Sequence, residues 1–145
     1  MAKEEIQFDI LKTEFELCQQ QMDKYDQLSM TTKTWAITLW AASMGWAFQV
    51  NRSEVILLNI LILVLFWFFD ALNKTFRTDY KKRRDEAATA LEYLFRTGVL
   101  PQNTTSPQLP EHRSKDTLQN IFAVHIIAVP YFILALVSFA LYIKF

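Results

Sequence analysis

Hydrophobic and polar residues are arranged in three different ways along this chain, and each arrangement predicts a different kind of segment. Near the start, Leu11, Phe15, Cys18, Met22 and Tyr25 recur at spacings of four, three, four and three. That is the seam of a helix packed along one face, as in a coiled coil. Without a break the pattern passes into Thr34 to Val50, TWAITLWAASMGWAFQV, a short and weakly hydrophobic stretch. Gly45 is the one helix-weakening residue between Lys3 and Val50, so a single long helix is expected there. The second arrangement is Val55 to Leu72, VILLNILILVLFWFFDAL, apolar apart from Asn59 and Asp70. A run of about 18 apolar residues is the length that crosses a bilayer core as a helix.

Asn51, Arg52 and Ser53 read as the turn between these helices, with Ser53 as N-cap and Glu54 favoured by the positive helix start. The second helix is expected to continue through Lys74 to Thr97, where Gly98 provides a C-terminal cap and Pro101 a stop. Within it Phe76, Tyr80, Ala87, Leu91 and Leu94 carry an apolar stripe, interrupted by Arg83 and Arg84. Folding the two helices back on one another places Tyr25 opposite Tyr80, Cys18 opposite Ala87, Phe15 opposite Leu91 and Leu11 opposite Leu94. Charge agrees with this pairing. Residues 1–33 hold seven carboxylates and four lysines, net −3, and residues 74–96 hold seven cations and four carboxylates, net +3.

The third arrangement has no period. Gly98 to Thr117 is a Pro-, Thr- and Ser-containing linker. Leu118 to Phe145 is apolar again, with His125 and Pro130 inside it and Lys144 near its end. The basic cluster Lys74, Arg77, Lys81, Lys82, Arg83 and Arg84 marks that end of the second helix as cytoplasmic. Arg113 and Lys115 precede the last span, so the N-terminus is expected inside and the C-terminus outside. The expected fold is an all-α membrane protein: a long antiparallel helical hairpin with two spans and a cytoplasmic coiled-coil stalk, plus a third C-terminal transmembrane helix. Its parts are an amphipathic helix over 1–33, a transmembrane hairpin over 34–72, a cytoplasmic helix over 73–97, a linker over 98–117 and a third span over 118–145.

Composition narrows the function. Fifteen basic and fifteen acidic residues leave no net charge to draw the chain to nucleic acid. The single Cys18 excludes an internal disulfide and a multi-cysteine metal site. Met1 to Leu28 lacks the basic-then-apolar order of a signal peptide, so insertion is expected to rely on the internal spans. There is no glycine-rich phosphate loop and no clustered pair of carboxylates, and His112 and His125 lie in a linker and at a membrane edge. No enzyme activity, catalytic residue, cofactor or metal is expected.

The remaining candidates concern packing or conduction. Thr34, Thr38, Ala41 or Ala42, Gly45 and Gln49 share one face of the first span. Small residues so spaced let helices approach closely, while in an oligomer the same face lines a water-filled path. Asn59 is expected to bond across the hairpin near Trp46, or to form a constriction. Asp70 is expected to snorkel, pair with Lys74 or bond Trp35, with a functional intramembrane acid as the alternative. His125 reads as a buried hydrogen-bonding residue beside Pro130 or as a proton sensor. The cluster Lys81 to Arg84 is expected to orient the span and to pair with Asp23 and Asp26, with contact to anionic lipid or nucleic acid as the alternative. Stalk assembly falls to Leu11, Phe15, Met22, Tyr25, Tyr80, Leu91 and Leu94.

The segments KYDQLSMTTKTWAITLWAASMGWAF and LFWFFDALNKTFRTDYKKRRDEAATALEYLF, with a short turn between them, resemble the SLATT-type small membrane effectors of bacterial anti-phage systems. Trp67, Asp70, Arg77 and Tyr80 stand where that family places a Trp, an acid and a basic helix at the end of its second span. The resemblance covers roughly residues 20–97, and the third span departs from the family's two-span pattern. It implies a homo-oligomer in the bacterial inner membrane that forms a pore or disrupts the bilayer when a cytosolic protein partner from the same operon triggers it. The alternatives are a non-conducting anchor that recruits a cytosolic defence complex and a holin-like lysis protein, for which the long ordered stalk is unsuited.

Overall fold

In the computed structural model the structure describes residues 3–101, 104, 106–110 and 125–144, with side-chain surroundings for 5–101, 104, 106–110 and 128–144. Among them every regular element is an α-helix. Helix α1 is Lys3–Val50, α2 is Ser53–Thr97 and α3 is His125–Lys144. The first two end where the backbone needs a left-handed residue. Asn51 adopts φ of 54° and Gly98 φ of 72°, a region that glycine enters freely and asparagine tolerates. The Gly98 N–H reaches the Leu94 carbonyl at 2.8 Å, closing the end of α2. Pro130 lies inside α3, where its missing N–H removes one intrahelical bond.

The chain divides into two compact units. The charged unit comprises Met1–Asp26 and Phe76–Arg113, and the apolar unit Gln27–Thr75 and Ser114–Phe145.

In the charged unit the predicted seam is packed. Leu11 is buried with Ala87 and Ala90, and Phe15, Leu91 and Leu100 close around them. Tyr25 stacks between Phe76 and Tyr80, with ring centroids 5.7 and 5.9 Å away. Cys18 and Met22 are buried on the same seam. Leu94, expected opposite Leu11, is half-buried, and Ala87 and Ala90 take that place in the cluster. The small alanines let the helices close on Leu11, whereas a second leucine would hold them apart.

In the apolar unit Ala36, Leu63 and Tyr131 form one buried cluster, and Met44, Ala47 and Ile56 another. Trp40 packs on both clusters. α2 is the one described helix long and apolar enough to cross a membrane, with an 18-residue window of mean hydropathy 2.6. Residues 128–144 of α3 form a shorter apolar helix. Residues 118–124 of the expected third span lie outside the described residues, as does the side chain of His125.

Candidate functional site

Four polar side chains of the apolar unit are buried in its interior. Asp70 is 0% exposed, and Asn59, Thr75 and Ser138 are also fully buried. The outward positions belong to residues such as Trp46, Leu58, Leu61, Phe69, Phe132 and Ile133. Large apolar side chains on the outside together with buried polar ones depart from the usual distribution, in which polar side chains mostly face water.

Asp70 is the centre of that polar interior. Ser29 and Lys33 stand one turn apart on α1, so both face α2. The Ser29 hydroxyl donates to Asp70 Oδ1. Lys33 Nζ lies 3.4 Å from Asp70 Oδ2 and donates to Ser29 Oγ at 3.2 Å. From α3 the Tyr131 hydroxyl donates to Asp70 Oδ2 at 3.3 Å. One carboxylate thus receives donors from both other helices of the unit. The expected snorkelling is not found, since Asp70 has no exposed surface. Nor does Trp35 bond it, for that side chain faces outward and Lys33 occupies the cross-hairpin position instead.

Two further polar contacts hold the interior. The Trp40 indole N–H donates to Ser138 Oγ at 2.9 Å, and that hydroxyl donates to the Leu134 carbonyl at 2.9 Å. Asn59 Nδ2 donates to the Trp40 carbonyl at 3.5 Å, so the expected cross-hairpin bond is made to the backbone of Trp40 rather than at Trp46. Asn59 Oδ1 and the Trp67 indole N–H are buried without a hydrogen-bond partner.

Thr38, Gly45 and Gln49 are all exposed, on the outside of α1. A Cβ built at Gly45 meets nothing within 4 Å, so the small face of α1 touches neither α2 nor α3 there. The Thr38 hydroxyl is bonded to the Thr34 carbonyl at 2.8 Å, and Thr34 in the same way to the Met30 carbonyl. Hydroxyls satisfied by their own helix can face an apolar medium at little cost.

The charged unit holds a second buried polar centre. Arg83 Nε donates to Glu14 Oε1 at 2.5 Å, and both side chains are buried. Arg83 also bonds Glu86 at 3.0 Å. Across Glu14 lies the stretch 106–110, whose Ser106 hydroxyl donates to Oε2 and whose Gln108 N–H donates to Oε1 at 3.3 Å. Burial works against ionisation of Glu14, but the hydrogen bonds from Arg83 and Ser106, the Arg83 charge and the Gln108 N–H outweigh it. Its carboxyl is therefore held below the usual range, and Glu14 stays an anion. Neighbouring Cys18 is pushed the other way, by burial first and then by the Glu14 charge, against a smaller pull from Arg83.

Beside this centre a cavity of about 730 Å³ opens between α1 and the 106–110 stretch, lined by Ile6, Ile10, Leu17, Leu109 and the two prolines Pro107 and Pro110. The expected pairing of the basic cluster with Asp23 and Asp26 is met in part by a different residue. Arg77 lies 2.6 Å from Asp26, whereas Arg83 takes Glu14 and Arg84 takes Asp85 and Gln19.

Sequence reasoning singled out Asp70 and Asn59 but missed Ser29, Lys33, Tyr131 and the Glu14–Arg83 pair. Two of these residues carried a signal: Lys33 stands almost opposite Asp70 in the predicted hairpin, and Arg83 interrupts an otherwise apolar stripe. Among the described residues no group of three or more His, Cys, Asp or Glu side chains is placed to hold a metal. Comparison with protein-family models, curated proteins and solved structures finds no match to this chain.

Proposed function

We propose that the chain is an oligomeric membrane effector whose apolar unit lies in the bilayer and whose charged unit lies in the cytoplasm. The outward large apolar side chains and buried polar ones of the apolar unit carry this reading. Outward Trp, Leu and Phe side chains suit lipid tails, and buried Asp70, Asn59 and Ser138 bonds suit a medium that offers no water. Residues 34–50 and α3 cross beside Val55–Leu72, and the basic cluster after Leu72 keeps that end inside. The charged hairpin is the stalk through which copies assemble. The resemblance of residues 20–97 to the SLATT-type effectors of anti-phage systems supports the same reading, with a cytosolic protein of the same operon as trigger.

Conduction falls to the outer face of α1. Asn59 and Asp70 are enclosed within one chain, so neither lines a path in a monomer. Thr34, Thr38, Gly45 and Gln49 form the outward face that is least apolar, and copies that turn this face toward a common axis wet it. The test is leakage from liposomes containing the full-length protein, with and without its operon neighbours. Leakage that Thr38→Glu abolishes, with the oligomer intact, is the expected result. Sealed vesicles under every condition, together with a stable complex between the charged unit and a neighbour, assign the chain to the non-conducting anchor instead.

A further inference from the structure

The charged unit carries two apolar features that its helix seam does not use, one concave and one convex. The concave one is the cavity of about 730 Å³ along α1, floored by Ile6, Ile10 and Leu17. Its far wall is Pro107, Leu109 and Pro110, and that wall is fixed, because Ser106 and Gln108 are tied to buried Glu14. The convex one is Phe95, 90% exposed in the last turn of α2, with Val99 also exposed beyond it. Phe95 is absent from the lining of its own chain's groove.

In the apolar unit outward aromatics are solvated by lipid, but the charged unit has no such medium. A single exposed Phe is ordinary on a protein surface. A projecting aromatic and an apolar groove several times its volume, on one water-facing unit, are the two halves of a contact. Charge fits as well. Among the described residues Arg96, next to Phe95, is engaged in an exposed pair with Glu92 one turn away, a weak and readily exchanged contact. The rim of the groove presents Asp9.

We propose that Phe95 of one copy seats in the Ile6–Ile10–Leu17 groove of the next, with Arg96 facing Asp9. This rests on the oligomeric reading above and specifies its geometry. Passed on from copy to copy, this contact closes into a ring or runs on as a filament, whereas exchanged reciprocally between two copies it stops at a two-fold dimer. Cysteines in both patches of one chain distinguish the two, a ladder being the outcome of the first arrangement and a single dimer band that of the second.

The experiment uses the full-length protein in membranes, in a Cys18→Ala background because Cys18 also lines the groove. Ile10→Cys and Phe95→Cys are placed at exposed positions, where folding is undisturbed. After mild oxidation each single variant is expected to stay uncrosslinked, a mixture of the two to give one dimer band, and the double variant to give a ladder. Phe95→Ala is expected to weaken association on the order of tenfold or more, as for a buried aromatic anchor. An assembled oligomer without I10C–F95C links overturns this contact and leaves the oligomeric reading standing. Self-linking of F95C alone overturns it in favour of a two-fold interface. A thiol at I10C that is shielded by a cytosolic neighbour, again without the link, gives the groove to that neighbour and overturns it too. A monomer at every concentration ends both readings.

Discussion

Neutralising Asp70 tests whether the apolar unit is held together from its polar interior. In Asp70→Asn one acceptor oxygen becomes an NH2 donor, so Ser29 and Tyr131 can no longer each donate to an oxygen of their own, and Lys33 loses its counter-charge. Hydrogen bonds to a charged group contribute about 1.5–3 kcal/mol, whereas interhelical bonds in membranes average about 0.6 and reach about 1.7. The Tyr131 and Lys33 contacts, at 3.3 and 3.4 Å, belong at the weak end of those ranges. A loss of about 2 kcal/mol is therefore expected for Asp70→Asn. Lys33→Met leaves a fully buried carboxylate with two neutral donors. Removing one member of a buried pair costs about 3–5 kcal/mol, but Lys33 is 28% exposed and its charge is partly solvated, so about 2–3 kcal/mol is expected. The double variant has neither orphaned charge and is expected to cost little more than Asp70→Asn alone, a coupling of about 2–3 kcal/mol. Reversible unfolding in bicelles, followed by steric trapping or helical circular dichroism, measures all four corners of the cycle. Strictly additive losses refute the argument, because they mean that Asp70 and Lys33 are solvated separately and the inward polarity is incidental.

Other consequences are separable. Glu14 has a lowered pKa, so its contribution to the charged unit is complete above the ordinary carboxylate range and is lost as pH falls through the depressed folded value. The acid limb of a pH-dependent unfolding curve is expected to flatten in Glu14→Gln. Arg83→Leu, which leaves Glu14 buried without its cation, is expected to cost about 3–5 kcal/mol by denaturant unfolding, and adding Glu14→Gln to recover part of it. Gly98→Ala meets no atom within 4 Å, so only its positive φ opposes the substitution, and a loss of about 1–2 kcal/mol without change of fold is expected. The Cys18 thiol, buried and with a raised pKa, is expected to react with a maleimide far more slowly in the folded protein than after denaturation.

How far the sequence discloses this molecule depends on which contacts are periodic. Apolar spacing disclosed both long helices, the turn at Asn51 and the Leu11–Phe15–Tyr25 seam, because a helix repeats and a buried stripe recurs with it. Asp70 was visible as an acid in an apolar run, but Tyr131 lies sixty-one residues away across an aperiodic linker, and nothing local pairs them. The hairpin register places Lys33 near Asp70, yet a polar lysine beside three threonines reads as solvated surface until a third helix covers the site. Glu14 and Arg83 show the same limit from the other side. As single charges on two amphipathic helices they resemble a dozen exposed neighbours, and what distinguishes them is burial under the Ser106–Pro110 stretch, which has no pattern of its own. In both units the periodic residues build the hairpin, while the residues that fix its third component are those the period cannot reach. Substitutions on the seam should therefore loosen the helices broadly, and substitutions at Tyr131 or Ser106 should release α3 or the 106–110 stretch while the hairpin stays folded.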